Sequence, residues 1–271
     1  MGPDLSSPAD YFAYPAVGSG MVRDWLEASS LGDFRSFEIR HFYLPMLDAL
    51  RGEGKYVPAH MAPLVDTWES TRTKSTPAMR IGSMIEALLF SNGNGAEWEH
   101  ASEGATLGET ARARIAATRI AQSCPTVAAM RDKVLRGQAE TQVAKVATIE
   151  GVQVKKREDI VWYPDGPTRA ETDFKVWSQW KNERQLGFKI RDSRVVAQRA
   201  LYRMITKANH PGLELASEIL VVNPFISGSL PIEYEHVFTD DELDAAEVDV
   251  RRALRGIKAM MEFKTPEEVA A

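Results

Sequence analysis

Residues 152–177 read VQVKKREDIVWYPDGPTRAETDFKVW, and this stretch decides the fold. Val152 to Tyr163 reads as a strand, Pro164-Asp165-Gly166-Pro167 has the composition of a turn, and strand character resumes from Arg169 to Trp177. Just upstream, Glu140 to Ile149 reads as another strand, with Glu150-Gly151 as a tight turn before Val152. Three strands joined by two short turns predict an antiparallel meander.

Outward from this core the period lengthens. Upstream, Leu107 to Arg136 predicts a helical region interrupted at Pro125 and closed by Gly137. Ala78 to Phe90 sets Ile81, Ile85, Leu88 and Leu89 at helical spacing and ends at Ser91-Asn92-Gly93-Asn94-Gly95. A Gly-rich break falls at Arg51-Gly52-Glu53-Gly54, and Met21 to Ala28 forms a short amphipathic stretch. Downstream, Val195 to Ala208 is helical in period, and Ala216 to Val222 is an apolar run of strand length. Thr239 with Glu242 three residues later fits a capping box for a helix reaching about Phe263. The expected fold class is α/β (α+β), a mixed central sheet with an antiparallel meander flanked by helices. No repeat or linker divides it, so residues 1–271 are expected to form one unit. Its parts are a helical portion to about 137, the sheet and its helix over about 138–236, and a C-terminal helix over about 239–263.

Composition narrows the chemistry. A chain of 271 residues with 44% hydrophobic content can bury a sizeable core. It has no run of about 18 apolar residues and no basic-then-apolar leader, so a soluble cytoplasmic protein with no membrane role is expected. The lone Cys124 excludes an internal disulfide, a thiolate zinc site and an iron–sulfur cluster. With a formal net charge of -5 there is no general attraction for a polyanion, so any nucleic-acid contact needs local basic patches.

Alternation on the third strand puts Glu171, Asp173 and Lys175 on one face, and on the second strand Lys155, Arg157 and Asp159 share a face. Folding about the Pro164–Pro167 turn brings Asp159 opposite Asp173. Two carboxylates and a lysine converging in this way can bind a hard divalent cation and support cleavage of a phosphodiester. The triplet itself is common, since Glu53-Gly54-Lys55 and Glu262-Phe263-Lys264 match it too. Strand context sets Asp173-Phe174-Lys175 apart, and a solvated, charged sheet face is the plain alternative.

Taken in order, Glu140, Lys156-Arg157-Glu158-Asp159, Asp173-Phe174-Lys175, and Gln198 four residues before Tyr202 resemble the core of RecE-like and RecB-like nucleases of the PD-(D/E)XK superfamily. The resemblance implies a restriction-endonuclease-like core. Asp159 and Asp173 become metal ligands, Lys175 the catalytic lysine, and Gln198 and Tyr202 lie on a helix bordering the site. Glu140 would touch a metal-bound water or the lysine, with a strand-edge salt bridge as the alternative. Arg80 to Leu89 (RIGSMIEALL) is similar to the family's glycine-serine helix, with Glu86 where a metal-binding histidine is expected. Tyr14 to Met21 (YPAVGSGM) resembles the opening segment of RecE-type nuclease domains, so the likeness runs from about residue 11 to about residue 236. Glu158 departs from the family, which has proline there.

Between the third strand and the next helix, Lys181, Arg184, Lys189, Arg191 and Arg194 accompany Trp177 and Trp180. Cations grip phosphates and aromatics stack on bases, so this segment, with Arg157 and Tyr202, is the candidate DNA-contacting set. The resemblance implies a Mg2+-dependent exodeoxyribonuclease, with Mn2+ as substitute, acting 5′ to 3′ from double-stranded DNA ends in recombination. It also implies a ring-shaped homo-oligomer and a phage-type single-strand annealing protein as partner. An endonuclease of the same fold, and an inactive DNA-end-binding or scaffold protein, are the competing readings.

Overall fold

The computed structural model describes residues 7, 10–11, 14–43, 76–91, 95–164, 168–178, 180, 182–192, 194–225 and 229–263. The expected break at Arg51–Gly54, the triplet at Glu53–Lys55, and the centres of the turns at Asn92–Asn94 and Asp165–Pro167 lie outside them. The N-terminal part contributes helices α1 (Ser19–Leu31) and α2 (Phe34–Glu38), then α3 (Pro77–Phe90), α4 (Gly95–Ser102), α5 (Leu107–Ser123) and α6 (Pro125–Leu135). Local chemistry fixes their starts. Thr76 accepts a hydrogen bond from the Met79 N–H, and Pro77 occupies a first-turn position that needs no donor. Thr106 and Glu109 form a reciprocal capping box at α5, and Pro125 both ends α5 and opens α6.

Strands β1 (Ala139–Ile149), β2 (Val152–Trp162) and β3 (Arg169–Val176) form the expected meander, joined to β4 (Leu215–Asn223) and β5 (Ile232–Phe238) in the sheet order β1-β2-β3-β4-β5. Both residues of the β1–β2 turn, Glu150 and Gly151, are left-handed, the pattern a two-residue hairpin requires. Only β3 and β4 run parallel, linked by α7 (Glu183–Asp192) and α8 (Val195–Asn209). The fold is therefore a mixed five-stranded sheet flanked by helices. The final helix, α9 (Asp240–Phe263), begins as the capping box predicts, with Thr239 and Glu242 exchanging hydrogen bonds. Among the described residues no helix is long and apolar enough to cross a membrane.

Two apolar layers cover the sheet. One gathers Val22, Trp25, Leu201, Ile205 and Leu254 from α1, α8 and α9 with Val152 and Val154. Gly256 lets Trp25 lie directly against α9, since a Cβ there would overlap the indole. The other layer gathers Ile81, Ile85, Ile120 and Val127 from α3, α5 and α6 with Ile160 and Phe174.

Val154 and Ile160 both carry even numbers on β2, yet they face opposite layers. Strict alternation therefore fails between them, and β1 switches too, since Ile149 lies in the first layer and Ala139 in the second. In the β1–β2 ladder the pairs Thr141↔Ile160 and Val143↔Glu158 flank the switch, leaving Gln142, at φ +56°, opposite Asp159. The β2–β3 ladder is equally local, pairing Ile160, Val161 and Trp162 with Thr172, Glu171 and Ala170. Past Asp159 the two strands part. The edge of β2 is taken instead by Val17, whose N–H donates to the Gln153 carbonyl and whose carbonyl accepts from Lys155 N–H, both at 2.9 Å.

Candidate active site

The fork between β2 and β3 opens into a cleft of about 1460 Å³, with α3 on one flank and α8 on the other. Asp159, at the point of divergence, uses its side chain where a ladder bond would otherwise form, its Oδ2 accepting from the Phe174 N–H at 2.8 Å. Asp173 stands beside it on β3, and Lys175 on the same face places Nζ 2.6 Å from Asp173 Oδ1 and 3.9 Å from Asp159 Oδ2. From α8, Gln198 Nε2 approaches Asp173 Oδ1 at 3.4 Å. From α3, Glu86 reaches the same cleft and accepts from Gln142 Nε2 at 2.6 Å. Asp173 Oδ2 is buried and has no hydrogen-bond partner among the described residues.

Three carboxylates thus face one ammonium, a formal charge of minus two when all are ionised. Burial and mutual repulsion both oppose ionisation of these carboxylates. Burial, reinforced by the Glu86 charge, pushes the Asp159 carboxyl well above its usual range. Burial likewise raises Glu86, against the pull of Lys175. Burial works against the Lys175 ammonium, but Asp173, Asp159 and Glu86 outweigh it and hold that pKa above an ordinary lysine.

Among the described residues no three His, Cys, Asp or Glu side chains are drawn together tightly enough to make a ready metal cage. The Lys175 ammonium lies between the carboxylates, against Asp173 Oδ1 and leaning toward Asp159. The donor set still suits a hard divalent cation. It offers carboxylate oxygens, a net negative charge of matching size and the unpartnered Asp173 Oδ2, and magnesium needs few protein ligands because it keeps several waters. Glu86, Asp159 and Asp173 are the residues that could hold it.

Behind the cleft lies a second charged cluster, closed to solvent. Lys156 Nζ donates to Glu158 at 3.1 Å, to Glu171 at 2.5 Å and to the Thr206 hydroxyl. Arg199 donates to Ser217 Oγ at 2.8 Å, and to Glu158 and the Glu171 carbonyl at 2.7 Å each. Arg169 completes it with a 2.9 Å bond to Glu171. Burial works against the Glu171 charge, yet Lys156 and Arg199 bring its carboxyl down to about 2.

The other expected residues fall elsewhere. Glu140 is exposed, because Ala139 points inward and the pleat turns its neighbour to solvent; Glu140 does not line the cleft. Arg157 does line it, but is held by Glu97 of α4. Tyr202 is 5% exposed, with its ring 5.7 Å from Lys156 Nζ and 5.5 Å from Arg199 Cζ. It packs on the buried cluster while bordering the cleft. Trp180 is core, whereas Lys189 lies 4.9 Å from the Trp177 ring and exposed Arg184 is 5.9 Å from the exposed Phe188 ring. These α7 residues do not line the cleft. Lys181 and the Arg191 side chain lie outside the described residues. Gln142, Glu158 and Arg199 escape a reading by strict alternation and motif, since each owes its position to the face switch or to a buried partner. A glutamine two residues past an edge-strand glutamate carries no signal in sequence.

No protein-family model and no curated protein matches the sequence. Among solved structures, it is similar to the crystal structure of a "Putative exonuclease" from Eubacterium rectale. The two share 18% identity over 72% of this chain and 71% of that one, with a TM-score of 0.48. The crystal structure of a protein called SSO0001 is 14% identical over 63% of this chain and 73% of its own, with a TM-score of 0.30. Both likenesses are too distant to assign an activity.

Proposed function

We propose that this chain is a Mg2+-dependent nuclease of the PD-(D/E)XK superfamily, RecE-like, that hydrolyses phosphodiester bonds from duplex DNA ends in the 5′ to 3′ direction for recombination. The observation that carries this reading is the fork. Asp159, Asp173 and Glu86 converge there on one lysine, with a buried carboxylate oxygen left without a partner. Structural ion pairs are normally satisfied, so an excess of buried negative charge at a cleft is a functional signature.

Glu86, Asp159 and Asp173 would hold the ion, with Mn2+ able to substitute. Bound magnesium withdraws charge from the scissile phosphate and lowers the pKa of a bound water. The Phe174 N–H keeps the Asp159 carboxylate turned to the cleft, and Gln198 steadies Asp173. Lys175, 28% exposed, presents its remaining N–H donors to an oxygen entering the cleft and stabilises negative charge developing there. Trp177 with Lys189, and Phe188 with Arg184, offer paired cation and aromatic groups for a DNA strand. A ring-shaped homo-oligomer in the cytoplasm, partnered by a single-strand annealing protein, belongs to the same proposal by resemblance alone.

The test uses linear duplex labelled at either the 5′ or the 3′ end, beside covalently closed circular duplex. Each is incubated with Mg2+, with EDTA, and with Lys175→Ala. Digestion of the linear DNA from its 5′ ends, with circles spared and with both controls inactive, is expected. Equal digestion by Lys175→Ala overturns the assignment, and cutting of the circles makes the enzyme an endonuclease.

A further inference from the structure

We propose that Gln142, a residue outside every motif in the sequence, is a positioning residue that sets the Glu86 carboxylate for metal binding; the inference rests on the nuclease reading above.

Two independent observations meet at this residue. Its backbone lies at φ +56° inside an eleven-residue strand, a region that disfavours any side chain but glycine's. The other described non-glycine residues with positive φ, Glu150 and Arg194, sit in a hairpin turn and at a helix N-cap, where local geometry explains them. No turn explains Gln142: the pairs Thr141↔Ile160 and Val143↔Glu158 continue the same register on either side of it. At this point β1 switches its buried face, and the residue across from Gln142 is Asp159.

The second observation is what the side chain does from there. Gln142 lines the cleft and donates from Nε2 to Glu86 Oε1 at 2.6 Å, bridging an edge strand to helix α3. Glu86 otherwise faces the Lys175 ammonium and the like charge of Asp173. An amide is suited to the task, because it donates to one carboxylate oxygen, leaves the other open, and adds no charge to a site whose excess is negative. A histidine ligand is commonly fixed by a partner on its second ring nitrogen, and Gln142 supplies the equivalent restraint to a carboxylate. The unfavourable backbone therefore serves ligand orientation.

The experiment measures Mn2+ binding by calorimetry and thermal melting of wild type, Gln142→Gly, Gln142→Glu and Asp173→Asn. Gln142→Gly removes the restraint and the backbone penalty together. It should weaken Mn2+ about 10-fold or more while raising the metal-free melting temperature by about 2 °C. Gln142→Glu cannot donate and sets a fourth carboxylate against Glu86, so its metal-free melting temperature should fall. Cleavage by Gln142→Gly should recover with added Mn2+, a rise in metal requirement at constant maximal rate. Unchanged Mn2+ affinity in Gln142→Gly, with wild type binding and Asp173→Asn not binding, overturns the role of Gln142 alone. Failure of wild type to bind any Mn2+ overturns the nuclease reading itself.

Discussion

Two charged clusters share strands β2 and β3 and helix α8, and they are built to opposite rules. In the one behind the cleft, Lys156, Arg169 and Arg199 meet Glu158 and Glu171, with the hydroxyls of Tyr163, Thr206 and Ser217 and a carbonyl filling the remaining positions. In the one at the fork, three carboxylates share one ammonium and an oxygen is left over. Charges removed from water are tolerated when each finds a partner, so the first cluster explains itself as architecture. The second does not, and its surplus matches what a divalent cation would bring. Asp159 divides them, since β2 exchanges its buried face there, sending Glu158 to one cluster and its own carboxylate to the other.

If that division is right, substitutions in the two clusters should separate activity from stability. Lys175→Ala at the fork should lower single-turnover cleavage by about 10²–10⁴-fold, with a smaller loss of stability than at Arg199 because the cleft lets the freed carboxylates take up protons. A parallel loss of fold would merge the two clusters into one structural unit. Arg199→Met, which takes one of two cations from Glu158 and the donor from the Glu171 carbonyl behind the cleft, should cost about 3–5 kcal/mol in urea denaturation. Should it prove insoluble, Arg199→Lys is expected to fold with a smaller loss. Saturating Mn2+ sharpens the contrast, since at a hundredfold excess over Kd it should stabilise wild type by about 2.7 kcal/mol and leave Asp173→Asn unmoved. Asp159→Asn keeps an acceptor for the Phe174 N–H while deleting a crowded charge, and should raise metal-free stability by about 1 kcal/mol as activity disappears. The smallest effect is expected far from both clusters. Phe188→Ala should weaken DNA binding about fivefold without moving the melting temperature.

The meander, α3, α8 and the capped final helix are legible in sequence because their signals are local: period, turn composition and capping residues. The opposition of Asp159 and Asp173 follows from the same alternation and a turn. Elements that depend on tertiary context are less visible. The strand β5, IEYEHVF, is a charged edge strand, and α7 hides Leu186 and Ile190 in a run of cations broken by Gly187. Alternation puts Glu171 on the face of Asp173 and Lys175 but does not show that it joins the buried cluster, and it cannot foresee a face switch, which takes Gln142 out of the β region. Glu158 stands where the resembling nucleases carry proline, and its partner Arg199 is forty-one residues away. No motif links them.

The direct test of the central claim is anomalous diffraction from a crystal soaked in manganese. The account predicts one peak at the fork, contacting carboxylate oxygens of Asp159 and Asp173, with the Lys175 ammonium moved off Asp173 Oδ1. A well-ordered fork with no peak, or a peak only at a surface site, with Lys175 still bonded to Asp173, would contradict it.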